Sequence, residues 1–150
     1  MQTAKRAVLF ANGQAKPGFE VSLLPDDFLI AVDGGLRHLK RLRQPPHLLI
    51  GDMDSVEAED LEQALNAGVE VRRFPPAKDQ TDLELALEYA LTRGYVHVII
   101  AYPFGDRADH TFGNLNLLSR PDLAGKTLLL DDGQEAVRLL SSRTLIPTHP

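Results

Sequence analysis

Short apolar runs alternate along this chain with longer stretches in which apolar residues recur every three or four positions. Runs at 7–11, 28–32, 48–50, 69–74, 96–101 and 127–130 read as strands, and most are continuous rather than alternating. Continuous runs are what strands covered on both faces require. Helices are expected at 36–43, 58–67, 83–93 and 111–119. Their ends carry chemical signals. Gly68 and Gly94 stand where a left-handed residue closes a helix,. Thr81 with Glu84 three positions later makes a capping-box pattern, and Leu83, Ala86, Leu87, Ala90 and Leu91 supply the apolar stripe behind it,. Strands and helices in this alternation predict an α/β fold, a mostly parallel sheet with helices on both faces.

After Asp131-Asp132-Gly133 the texture changes. Residues 135–140 read as another strand and 141–143 as a turn. The division this suggests is one α/β domain over 1–133, with 134–150 as the opening of a second, β-rich unit. A chain of 150 residues is long enough for one sizeable core,. Its net charge of −5 argues against nucleic acid as the main partner, because a phosphate backbone selects a basic face,. Thiolate metal ligands and disulfides are excluded, since the chain has no cysteine,. No apolar run approaches the ~20 residues that span a bilayer, and the basic-then-apolar start at 5–11 reads as a first strand rather than a leader. A cytoplasmic enzyme without membrane contact is the expectation.

Acidic clusters sit just past the predicted strand ends. They are Asp33 in Val32-Asp33-Gly34-Gly35, Asp52 and Asp54 in Gly51-Asp52-Met53-Asp54-Ser55, Asp79 and Asp82 in Lys78-Asp79-Gln80-Thr81-Asp82, and Asp109 in Arg107-Ala108-Asp109-His110. Loops after the strands of an open parallel sheet line one crevice, where ligands bind. Carboxylates converging there repel one another unless a divalent cation holds them. In an extended segment residues two apart share a side, so Asp52 and Asp54 form a candidate magnesium anchor. The plainer alternative is that Asp54-Ser55 starts a helix. Gly105 lets the backbone approach a phosphate closely, and Arg107 can grip phosphate oxygens in bidentate fashion. Against that stand an exposed Arg107–Asp109 ion pair of small worth and a helix-capping His110. The other histidines show no metal-ligand spacing and are expected at the surface. Gly34-Gly35 is not a GxGxxG fingerprint, so a dinucleotide site is disfavoured.

Taken in order, Asp-x-Asp-Ser at 52–55, Lys-Asp-x-Thr-Asp at 78–82 and Arg-x-Asp-His at 107–110, with 31–39 and 46–51 before them, resemble the catalytic domain of thiamin pyrophosphokinase over most of 7–133. That resemblance implies a Rossmann-like domain that transfers pyrophosphate from ATP to thiamin, giving thiamin diphosphate and AMP. It implies Asp52, Asp54, Asp82 and Asp109 as magnesium-associated carboxylates, acting with Arg107 in catalysis. Asp33, Gly34, Ser55, Lys78, Asp79, Thr81, Gly105 and His110 fall where the family handles ATP or its phosphates. The family also implies a homodimer and a C-terminal β-domain beside the thiamin pocket. Asp106 departs from the pattern, which usually has a second glycine before the arginine. Other readings stay open: a Mg–ATP-binding module without turnover, a pyrophosphokinase for another alcohol such as a pterin, and a nucleotide-sugar glycosyltransferase using Asp-x-Asp. The last gives no reason for the two later motifs.

Overall fold

The structure is a computed structural model that describes residues 5–75 and 79–140. One sheet organises it, built from β1 (Arg6–Phe10), β2 (Phe28–Val32), β3 (Leu48–Gly51), β4 (Glu70–Arg73), β5 (His97–Ala101), β6 (Thr127–Asp131) and β7 (Ala136–Val137). The order across it is β4-β3-β2-β1-β5-β6-β7. Every neighbouring pair is parallel except β6 with β7. The chain first winds outward from β1 to β4, then returns to lay β5 on the other side of β1. Connections leaving β1 and β5 therefore diverge, which opens a crevice at the strands' C-terminal ends.

The helices are α1 (Leu36–Arg41), α2 (Ala58–Asn66), α3 (Asp82–Thr92) and α4 (Ala108–Asn116). Successive strand residues point to opposite faces, and both faces are apolar here. Leu9, Ile30, Ile50, Val98 and Ile100 pack with Leu83, Ala86, Leu87 and Ala90 of α3. On the other face Val8, Phe10, Leu29, Ala31 and Leu49 pack with Leu36 and Leu39 of α1. The expected α/β sheet covered on both faces is the one found. Gly68 and Gly94 close α2 and α3 at φ 80° and 86°, as their positions predicted.

Three elements differ from expectation. The strand expected at 69–74 contracts to β4, which has no fully buried residue because it lies at the sheet's edge. The run at 135–140 yields only Ala136–Val137, antiparallel to Leu130 and Asp131. Helix α4 begins three residues before the expected 111, at Ala108, and a 3₁₀ turn over Leu117–Ser119 takes up its end. Ala108 is a strong helix former, and Asp109 in the first turn complements the helix dipole. Asp109 and His110 are thus helical residues.

Candidate active site

Asp33 leaves the end of β2 with φ 47° and opens a tight 3₁₀ turn. Asp52 follows β3, and Asp82 is the first residue of α3. One carboxylate oxygen from each of these three lies within 4.8 Å of the others, and all three side chains are half-buried. Gly51 makes the approach possible. A Cβ there would stand 3.0 Å from Asp33 Cβ and 3.1 Å from Asp82 Oδ2, and its φ of 148° is one that a side chain disfavours,. The capping box fixes Asp82: Thr81 Oγ1 accepts the Glu84 N–H at 3.1 Å, and the Thr81 N–H donates to Glu84 Oε2 at 2.8 Å,.

The electrostatics are those of a cation cradle. Burial raises the Asp33 carboxyl above its usual range, the Asp52 charge pushes the same way, hydrogen bonds from Ser55 oppose it, and Asp82 adds to the rise. Asp33 Oδ1 is buried and meets no hydrogen-bond donor among the described residues. An uncompensated buried carboxylate oxygen is costly. Hard oxygen donors clustered in this way fit magnesium.

These carboxylates form one wall of a cavity of about 770 Å³. Ser55 and Thr81 line the same cavity, as do Gly105, Arg107, Asp109 and His110 from the loop before α4 and its first turn. Arg107 Nη2 meets Asp109 Oδ2 at 2.6 Å, with both side chains about two-thirds exposed. The Arg107 hydrogen bond holds the Asp109 carboxyl below its usual range; slight desolvation acts the other way, and the His110 backbone adds to the lowering. Asp106, the departure from the motif, accepts the Gln14 side-chain amide at 2.7 Å. Its charge is thereby tied to the loop after β1.

The structure groups Asp33 with Asp52 and Asp82, whereas the resemblance implied Asp54 and Asp109 beside Asp52 and Asp82. For Asp54 the reason is backbone conformation. Met53 has φ 70°, so residues 52–54 are not extended. The Asp54 N–H folds back onto Asp52 Oδ1 at 2.9 Å and leaves the Asp54 side chain exposed. Asp79 is exposed and outside the cavity wall, and Lys78 lies outside the described residues. Gly34 is buried in the turn after β2, where a Cβ would meet the Asn12 side chain at 2.6 Å.

Sequence reasoning passed over Asn12, Gly13, Gln14 and Arg37, which complete the cavity beside β1. The Arg37 guanidinium binds Asn12 Oδ1 and donates to the Gly13 carbonyl at 2.6 Å. The signal was available. Asn12-Gly13 directly follows a strand, the criterion that selected the acidic loops. The surface assignment of the histidines fails at His38, which is 1% exposed. Its ring is consumed in the wall beneath Gly13, where α1 meets Tyr102.

Residues 21–130 match the family model described as thiamin pyrophosphokinase, catalytic domain. Thiamine pyrophosphokinase of Bacillus subtilis (strain 168) is 32% identical over 110 residues, covering 73% of this chain and 51% of that protein. Thiamine pyrophosphokinase 1 of Oryza sativa subsp. japonica is 32% identical over 99 residues, covering 61% of this chain and 37% of its own length. The crystal structure of the Bacillus subtilis enzyme superposes with a TM-score of 0.72 at 27% identity, covering 91% of this chain and 63% of that one. Yeast thiamin pyrophosphokinase, at 12% identity, shares the fold with a TM-score of 0.69, over 87% of this chain and 59% of its own. The chain spans about half or less of the length of these curated relatives.

Proposed function

The chain belongs to the thiamin pyrophosphokinase catalytic-domain family, and we propose from that premise that it carries the ATP side of pyrophosphate transfer to thiamin. The observation that supports this most is the grouping of Asp33, Asp52 and Asp82 in a cavity that Arg107 and the first turn of α4 also line. Asp33, Asp52 and Asp82 would hold magnesium, which when bound supplies the positive charge that lets carboxylates and phosphates share a site. Arg107 would turn from Asp109 to the phosphate oxygens, exchanging an exposed ion pair for a bidentate grip. The first turn of α4 adds backbone N–H groups and the positive end of a dipole. Ser55, Thr81, Gly105 and His110 line the remaining approach, and Lys78 joins the proposal on sequence alone.

In the reaction proposed, the hydroxyethyl oxygen of thiamin bonds to the β-phosphorus as the bond from that phosphorus to the bridging α–β oxygen breaks. AMP leaves with that oxygen, and the hydroxyl proton passes to a carboxylate. Asp82 and Asp109 are the two candidates for the last role. Positioning and charge stabilisation do most of the work in such transfers. A second copy of the chain completing the acceptor side, and a cytoplasmic setting, belong to the same proposal. No helix among the described residues is long and apolar enough to cross a membrane.

Because the matched region covers only 51% and 37% of these curated relatives, a Mg–ATP-binding module without turnover is the second reading. Incubating the chain with Mg–ATP, with and without thiamin, separates them: AMP and thiamin diphosphate appear together only if transfer is intact. ATP binding with no AMP in either mixture supports the module, and absence of ATP binding defeats both. A pterin alcohol in place of thiamin tests the acceptor. Arg107→Ala is expected to weaken Mg–ATP binding by about 30-fold or more, as loss of a charge-assisted bidentate contact does. Its melting temperature is expected within about 1 °C of the parent, since an exposed ion pair adds little. Calorimetric titration and thermal melts check both. Equal losses of affinity and stability would make Arg107 a structural residue.

A further inference from the structure

We propose that His38 is a positioning residue for this site: it holds the loop over Asn12–Gln14, and through Gln14 the Asp106–Arg107 loop, in the arrangement that receives the nucleotide. The inference rests on the ATP reading for its function and on α1 for its geometry. The His38 ring stacks on Tyr102 with centroids 4.2 Å apart and planes 26° from parallel. Its Nε2 lies 2.8 Å from the Gly13 carbonyl oxygen, and its Nδ1 lies 2.9 Å from Arg41 Nη1. A guanidinium can only donate, so Nδ1 accepts and the proton sits on Nε2. Burial, with Arg37 and Arg41 acting the same way against the Gly13 bond, lowers the ring's pKa to about 4. At neutral pH the imidazole is therefore an uncharged donor aimed at Gly13.

Gly13 is where the two loops meet. Its N–H donates to the Tyr102 carbonyl at 2.9 Å, and a Cβ on it would stand 2.2 Å from that oxygen. The next residue, Gln14, donates its backbone N–H to the Phe104 carbonyl at 2.7 Å and its side-chain amide to Asp106 at 2.7 Å. Arg37 and His38 together give the Gly13 carbonyl two donors from consecutive residues of one helix. An apolar side chain would fill the space beside Tyr102 with less desolvation. It would not anchor the loop.

The test compares His38→Gln, which keeps a donor toward Gly13, with His38→Leu, which has none; both lose the Tyr102 stacking and the acceptor for Arg41. Amide hydrogen exchange at Gly13 and Gln14 and calorimetric Mg–ATP titration are measured on the full chain. His38→Leu is expected to exchange these amides about tenfold faster and to bind Mg–ATP about tenfold more weakly, the effect of one buried hydrogen bond. His38→Gln is expected within about threefold of the parent on both measures. If Leu and Gln behave the same, His38 only fills space and the inference is overturned. His38→Met gives the same donor-free comparison if the leucine variant does not fold. A parent chain that fails to bind Mg–ATP defeats the nucleotide reading, and the exchange comparison alone then decides whether His38 holds the loop.

Discussion

Asp52→Asn is expected to abolish magnesium-dependent ATP binding and, in the same protein, to raise the melting temperature of the metal-free chain by about 4–8 °C. The two signs come from one cause. Asp33, Asp52 and Asp82 bring oxygens within 4.8 Å of one another, and each like-charge pair at such a distance disfavours the fold by about 1 kcal/mol or somewhat more. The raised Asp33 carboxyl registers that strain, with burial ahead of Asp52 among its causes. Asparagine at 52 removes a charge and keeps an oxygen to accept the Asp54 N–H, so the turn after β3 survives. What it cannot replace is the anionic ligand, and hard divalent cations depend on it. Thermal melts with and without magnesium check the stability arm, and calorimetry checks binding. An equal magnesium-induced shift in parent and variant would remove Asp52 from the metal site. Asp54→Asn is the contrast: with an exposed side chain, it is expected to leave the metal-free melting temperature within about 1 °C.

Much of this architecture was written in the apolar pattern. The strand at 28–32 has the bounds expected, and the capping box at Thr81 opens α3 one residue from its predicted start. Such features are local: they depend on spacing within a few residues, which a sequence displays directly. The site was legible only in part, because grouping carboxylates requires knowing how loops turn. Asp52 and Asp54 share a side in an extended strand, but Met53 in the left-handed region breaks that alternation. No residue preference announces it, since methionine rarely adopts that conformation.

The same limit explains Asn12, Arg37 and His38. Each becomes meaningful only when β5 is laid beside β1, a long-range event that brings Tyr102 and Phe104 against Gly13. His38 in particular sits in a helix among Arg37, Lys40 and Arg41, which from sequence alone reads as a solvated basic face. Burial came from the sheet behind it, and local polarity gave no warning.

Gly35→Ala is expected to be the most damaging small substitution in the chain, lowering the melting temperature by roughly 10 °C or preventing recovery of folded protein. The Gly34-Gly35 pair does not make a dinucleotide fingerprint, and the geometry gives Gly35 a purpose in packing. A Cβ on Gly35 would lie 1.8 Å from the Phe10 carbonyl oxygen and 2.6 Å from its carbon. Both atoms belong to the backbone at the end of β1, which is paired on both sides in the centre of the sheet. Neither a rotamer change nor a small shift relieves such an overlap, so the turn after β2 must move as a unit. Asp33 moves with it, since Asp33–Gly35 is that turn. The magnesium-dependent shift should therefore vanish along with stability, unlike Asp52→Asn, where the two part. Gly113→Ala is the control: that glycine lies inside α4, and a methyl group placed on it would have nothing within 4 Å. Alanine is favoured over glycine in a helix by about 1 kcal/mol. A rise in melting temperature for Gly113→Ala and a steep fall for Gly35→Ala is the expected pair. A Gly35→Ala chain that melts like the parent would mean that the first turn does not press on β1 as described, and that Asp33 is not held against Asp52 by that contact.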